Sequence, residues 1–140
     1  MIRSVSSRMF LPHGKYRIEL KNNVMLVEAK GPFNIEVVKQ YTQQVAATLS
    51  QLILPWGQVV ILHQDSLFTP EAEQLMYKTV EDRKENGLVA SAVIINGSTS
   101  QFIIEQQVAK IYQASKVNYQ FFDDECVARA WVDEALVGYS

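Results

Sequence analysis

The chain has 140 residues, of which 48% are hydrophobic and 20% charged, and its formal net charge is −2. These values are typical of one globular domain that can bury roughly two-thirds of its unfolded surface. The charges are interspersed and include no long run of lysine and arginine, so nucleic-acid binding through phosphate neutralisation is not expected.

The first part of the chain divides into an arm and a hairpin. Residues 1–14 are rich in serine and basic residues, and we interpret them as an N-terminal arm that precedes one domain over residues 15–140. Residues 16–20 alternate between apolar and charged types, which predicts a strand with one face in water. The Asn-Asn pair that follows predicts a tight turn into a second strand, Val24–Lys30. The two strands should form an antiparallel hairpin, with the first of them at the sheet edge.

A repeated strand-then-helix pattern occupies the rest of the chain. Three more apolar runs predict strands, namely Val59–Leu62, Ala92–Ile95 and Tyr119–Phe122. Helical patterns with capping residues follow the second strand and each of these runs, and the predicted N-caps are Asn34, Thr69, Ser98 and either Asp123 or Asp124. Parallel strands need helical crossovers. The order β-β-α-β-α-β-α-β-α therefore predicts a single-domain α/β fold with a mixed, mostly parallel five-stranded sheet and about four helices.

Polar side chains are concentrated in two of the loops that follow strands. In an open parallel sheet, ligands approach the carboxyl ends of the strands, where the next helices begin. The candidate ligand or partner surface consists of His63, Asp65, Ser66, Thr69, Asn96 and Ser98. The alternative is that these residues only cap helices and satisfy turn backbone groups.

The sequence supports no catalytic assignment and no metal or cofactor site. Ser66 with His63 as base is the remaining hydrolase hypothesis, but no Gly-x-Ser-x-Gly elbow accompanies the pair. The two histidines are too few and too scattered for a metal site, and the single cysteine, Cys126, excludes an internal disulfide and a cysteine zinc cluster. No apolar run approaches the ~20 residues of a membrane span, and no apolar leader resembles a signal peptide. We therefore expect a cytoplasmic protein without a membrane span.

Three local stretches, together with the element order, resemble the SpoIIAA-like family, which is related to the STAS domains and looks related to the lipid-binding Sec14 fold. The stretches are Gly31-Pro32-Phe33-Asn34, Phe68-Thr69-Pro70-Glu71-Ala72, and Phe122-Asp123-Asp124-Glu125 leading through Ala130-Trp131. The resemblance runs from about Lys15 to Leu136, which is nearly the whole chain.

The resemblance implies a regulatory module rather than an enzyme. STAS members are switched by phosphorylation of a serine at the start of the helix after the central strand, and Ser66 and Thr69 are the hydroxyls nearest that place. The chain departs from the STAS pattern because it lacks the Ser-Gly pair and has Pro70 at the first helical position. We expect a non-enzymatic module that binds a protein partner through His63–Leu75. The alternative is a carrier of a lipid or small anion at the strand carboxyl ends, and the edge hairpin is a candidate surface for self-association.

Overall fold

The computed structural model describes residues 7–11, 14–97 and 99–138, with side chains from residue 16 onward. Strands and helices alternate after an initial group of three strands. The elements are β1 (Ser7–Leu11), β2 (Gly14–Lys21), β3 (Val24–Lys30), α1 (Ile35–Leu49), β4 (Trp56–Leu62), α2 (Pro70–Glu85), β5 (Leu88–Ile95), α3 (Gln101–Ser115), β6 (Asn118–Phe122) and α4 (Glu125–Val137). This confirms the predicted α/β class and the four helices.

Within the described residues the sheet has six strands, one more than predicted, in the order β1-β2-β3-β4-β5-β6. β2 is antiparallel to both β1 and β3, whereas β3, β4, β5 and β6 run parallel to one another. The additional strand, β1, comes from residues that the sequence analysis assigned to the arm. Because β1 pairs along β2, the predicted edge strand is an inner strand. Residues 1–6, 12 and 13 of the predicted arm lie outside the described residues, and the boundary between arm and domain stays a prediction.

Three of the predicted helix caps are confirmed. Asn34 accepts a hydrogen bond from the Val37 amide at 3.0 Å, Thr69 caps α2, and Asp124 caps α4. The start of α3 differs from the prediction, because Ser100 rather than Ser98 is the N-cap. The preceding turn contains Gly97 in the left-handed conformation, so the helix begins later than the serine spacing suggested. Ser98 itself lies outside the described residues.

The helices cover the two faces of the sheet unequally. The larger apolar cluster packs α1, α2 and α3 against one face, and the smaller cluster packs α4 against the other. Side chains of β3 alternate between these faces. On the α4 face of β3, Val24 and Leu26 belong to the smaller cluster, whereas Glu28 and Lys30 are partly exposed near the carboxyl end. The α4 face therefore carries polar groups at one border of the sheet.

Candidate functional site

A cleft of about 430 Å³ lies at the carboxyl ends of β3, β4 and β5. Its walls come from these strand ends, from the neighbouring strand β2 and from the loops that follow β4 and β5. The lining residues are Tyr16, Arg17, Glu28, Ala29, Lys30, His63, Gln64, Asn96 and Gly97. Most of them are polar, so the cleft suits a hydrophilic occupant better than an apolar one.

Glu28 contacts the side chains of both Arg17 and His63 in this cleft. Its Oε1 accepts a hydrogen bond from Arg17 Nη2 at 2.6 Å, and its Oε2 lies 2.6 Å from His63 Nε2. The strand register explains the arrangement, because Arg17 is the direct partner of Glu28 across the β2–β3 pair. The His63 amide donates to the Ala29 carbonyl at 2.8 Å, which fixes the histidine beside the same strand. The three side chains thus form one bridged network.

This network keeps Glu28 ionised. The hydrogen bond from His63 is the largest cause that lowers the pKa of Glu28 below its ordinary value, and the positive charge of Arg17 adds to it against the opposing effect of burial. The Nδ1 atom of His63 has no hydrogen-bond partner among the described residues. That nitrogen is therefore available to a molecule in the cleft.

Of the predicted site residues, the structure brings His63 and Asn96 together in the cleft. Their strands are adjacent and parallel, and the Asn96 amide donates to the Leu62 carbonyl at 2.8 Å. Gly97 follows with a φ of +63°, which turns the chain away from the sheet. The prediction that polar loops converge at the carboxyl ends of the strands thus holds for these two residues.

Asp65, Ser66 and Thr69 do not line the cleft, and Ser98 lies outside the described residues. Asp65 is exposed and has a φ of +62° in its turn. Ser66 is 0% exposed, and its hydroxyl donates to the His63 carbonyl at 2.6 Å and accepts from the Gly31 amide at 3.4 Å. Thr69 Oγ1 accepts from the Ala72 amide at 3.3 Å as the cap of α2. Phosphorylation of Ser66 would first require this loop to open.

The hydrolase pair suggested by the sequence is not assembled. The His63 ring forms a hydrogen bond with Glu28, whereas the Ser66 hydroxyl forms hydrogen bonds with the His63 carbonyl and the Gly31 amide. A general base must lie within hydrogen-bond reach of the nucleophile that it activates. Ser66 consequently acts as a structural residue that ties the loop after β4 to the loop after β3.

A second, shallower groove of about 310 Å³ lies at the start of α2. It is lined by Phe68, Pro70, Glu71, Glu73, Gln74 and Gln107. Gln107 of α3 holds this region in place, because its side-chain amide accepts from the Phe68 amide at 3.0 Å and donates to the Phe68 carbonyl at 3.2 Å. The groove lies within the segment His63–Leu75 that the sequence analysis named as a partner surface.

Arg17, Glu28 and Lys30 were missed as site residues by the sequence analysis. All three occupy outward positions of alternating strands, where charged side chains ordinarily face solvent. The available signal was the pairing of opposite charges across the predicted hairpin, and it becomes informative only when the register is known.

Neither a metal centre nor a membrane-spanning helix occurs in the described ranges. No cluster of three or more His, Cys, Asp or Glu side chains there could hold a metal ion. No helix in the same ranges has the length and apolar character needed to cross a bilayer.

The fold and the cleft define an α/β domain with a polar, ligand-sized depression at the carboxyl border of its sheet. Its structure is similar to that of an uncharacterized DUF3478-family protein with a SpoIIAA-like fold from Shewanella loihica PV-4. The TM-score is 0.57 at 15% sequence identity, and the match covers 94% of this chain and 95% of that chain. No protein-family model and no curated protein sequence matches the chain. The comparison confirms the SpoIIAA-like fold and indicates no enzymatic family, while the relations to STAS domains and Sec14 stay predictions.

Proposed function

We propose that the protein is a non-enzymatic, cytoplasmic module that binds a small anionic ligand in the cleft at the carboxyl ends of β3, β4 and β5. The observation that carries this proposal is the charge of the cleft lining. Arg17 and Lys30 are cationic, His63 becomes cationic when protonated, and Glu28 is the single carboxylate among the nine lining residues. The lining residues therefore carry a net positive charge, part of which is offset from outside the lining by Glu19, whose Oε1 lies 3.6 Å from Arg17 Nη1.

The size and rigidity of the cleft also support a ligand site. Its volume falls within the range of roughly 300–1,000 Å³ that is usual for small-molecule sites. Because Glu28 fixes Arg17 and His63 in place, the ligand would not have to order these side chains on binding, which favours affinity.

The test measures anion binding with citrate and inorganic phosphate as probes. We expect each anion to raise the melting temperature of the wild-type protein, and Lys30→Gln to weaken this response by several-fold because one of the two permanent cations is removed. Lys21→Gln is the matched control, since Lys21 lies at the far end of the β2–β3 hairpin and does not line the cleft. Native mass spectrometry of freshly purified protein would reveal a retained ligand.

Two results would contradict anion binding in the cleft. One is an equal anion response in Lys30→Gln and Lys21→Gln, which would indicate nonspecific ionic stabilisation. The other is a clean mass for the unliganded chain together with no thermal shift for any anion. Turnover in a broad hydrolase screen that is lost in His63→Ala would contradict the non-enzymatic assignment.

A regulatory protein interaction is the second candidate function, and the groove at the start of α2 favours it. Glu71 and Glu73 place two carboxylates beside the apolar surface of Phe68. A segment with basic and apolar side chains would complement this combination. The rigid attachment of Phe68 to Gln107 supports a preformed surface.

Charge reversal distinguishes this second candidate from the first. Glu71→Lys should abolish capture of an identified partner by the purified protein, whereas Glu81→Lys, at another exposed position on α2, should retain it. Neither substitution alters the cleft, so anion binding should be unchanged in both variants. Partner capture that is equal in the two variants would exclude the groove as the contact surface.

A further inference from the structure

Arg83 is a buried cation on the inner side of α2. The residue is 3% exposed and lines a partly open cavity between the sheet and the layer formed by α1, α2 and α3. Its Nη1 donates to the Tyr41 hydroxyl and to Gln58 Oε1, both at 3.1 Å. Its Nη2 is buried and has no hydrogen-bond partner among the described residues. No described carboxylate forms an ion pair with Arg83.

The charge of Arg83 is therefore compensated only by neutral groups. Burial of an ionised side chain is costly unless the charge is paired and its donors are satisfied. The Tyr41 ring, whose centroid lies 5.2 Å from Arg83 Cζ, contributes a cation–π contact that offsets part of this cost. An unfilled donor on a buried cation indicates a site that an anion would complete.

The cavity beside Arg83 is small and almost wholly apolar. It extends from Arg83 and Tyr112 toward Phe33 and Phe68 at the carboxyl ends of the strands, and aliphatic side chains line it between these ends. Its volume of about 60 Å³ corresponds to about four to six water-sized groups. Water would find few partners along the aliphatic walls, so an occupant with an apolar body fits better.

We propose that this cavity binds a small organic monocarboxylate of about the size of butyrate. The carboxylate would accept a hydrogen bond from Arg83 Nη2, and the short alkyl chain would lie along the aliphatic walls toward Phe33 and Phe68. This site adjoins the polar cleft, since Tyr16 and Ala29 line both, but its polar group is a different one: Arg83 lies between α2 and the sheet, whereas Arg17 and Glu28 lie on the α4 face of the sheet. The proposal does not depend on the function of the cleft.

The experiment titrates the wild-type protein with sodium butyrate and, in parallel, with butanol, while amide and methyl NMR spectra are recorded. Butyrate should perturb the methyl signals of Val108 and Ile111 saturably, and cross-relaxation between its methylene protons and these methyl groups should place it in the cavity. Butanol has a similar chain but no charge. We expect it to bind at least about tenfold more weakly, since it cannot form the charge-assisted hydrogen bond. Decanoate is too long for the cavity and should also bind more weakly than butyrate.

Substitution of the arginine provides an independent test. Arg83→Met keeps an unbranched, apolar stem and removes the charged guanidinium, and it should weaken butyrate binding about tenfold or more while leaving butanol binding unchanged. Arg129→Met is the matched control, because Arg129 lies on α4 and does not line the cavity. If Arg83→Met fails to fold, the comparison of butyrate with butanol in the wild-type protein decides the question alone.

Several outcomes would overturn the proposal. Equal affinity for butyrate and butanol would show that Arg83 does not recognise the carboxylate. Signal changes confined to the cleft around His63 would assign butyrate to the polar site instead. A third contrary result is that the NMR signals of the cavity residues show no saturable change below the concentration at which butyrate perturbs exposed residues. That result would show that the cavity does not bind butyrate.

Discussion

Replacement of Glu28 by glutamine should destabilise the protein by about 1 kcal/mol at neutral pH. The side chain makes two contacts of 2.6 Å, to Arg17 and to His63, and it is 34% exposed. The ion pair with Arg17 contributes about 0.2–1 kcal/mol, and the hydrogen bond between His63 and the carboxylate adds to it, so the two contacts contribute about 1 kcal/mol together. Glutamine keeps the shape of glutamate and removes its charge. The free energy of unfolding can be measured by urea denaturation, with the fluorescence of the buried Trp56 as the signal.

The difference in stability between wild type and Glu28→Gln should depend on pH. The pKa of Glu28 in the folded protein is lowered from its ordinary value of 4.5, mainly by the hydrogen bond from His63. Glu28 thus binds a proton more readily in the unfolded chain than in the folded protein. The stabilisation that ionised Glu28 contributes to the fold is therefore fully present above pH 4.5. It is lost as the pH falls through the folded pKa. Glu28→Gln lacks this titration, so the two free energies should converge on acidification.

Two further variants serve as checks on this reasoning. Glu81→Gln, at an exposed position on α2 without an ion pair among the described residues, should change stability little at any pH. His63→Ala removes the first cause of the lowered pKa and should reduce the pH dependence that Glu28 contributes. A stability difference between wild type and Glu28→Gln that stays constant from about pH 7 to about pH 3 would refute the ionic network.

Three other substitutions test the loops and the core by thermal unfolding. Gly31→Ala should destabilise by about 1–3 kcal/mol, because a Cβ atom there would overlap the Asp65 carbonyl oxygen, whereas Gly138→Ala, where the nearest atom is 3.5 Å away, should be nearly neutral. Thr69→Ala should destabilise the protein by about 1 kcal/mol through loss of the α2 cap, whereas Thr69→Ser, which keeps a hydroxyl, should retain most of the stability. Equal stability of the alanine and serine variants would exclude the capping role. Tyr112→Phe should cost about 1–3 kcal/mol, because its hydroxyl accepts buried hydrogen bonds at 2.9 Å and 2.8 Å, and unchanged stability would contradict this account.

The sequence predicted those parts of the fold that local chemistry determines. The caps at Asn34 and Thr69 are confirmed because each side chain reaches amides only three residues ahead. The apolar run Val59–Leu62 is the core of β4, whose residues are all buried, and such runs are typical of strands covered on both faces. Convergence of His63 and Asn96 was predictable because parallel strands end at a common border.

The missed features all depend on tertiary partners. The sequence of β1 shows no clear alternation of apolar and polar residues. The segment forms a strand because its backbone pairs with that of β2. Glu28 acquires its role only when the register places it opposite Arg17 and beside His63. Arg83 has the same helical spacing as the other buried residues of α2, such as Met76 and Val80. An arginine is ordinarily exposed, however, so its burial could not be inferred from spacing alone.

The strand order has a consequence for how the chain folds. Each strand of the sheet lies beside the strand that precedes it in the sequence. No strand has to be inserted between two that have already paired. Each new strand pairs with its neighbour in sequence, so the entropic cost of closing the connecting segment is modest. A growing polypeptide with this topology can add one strand and one helix at a time to an existing edge, in the order of its synthesis.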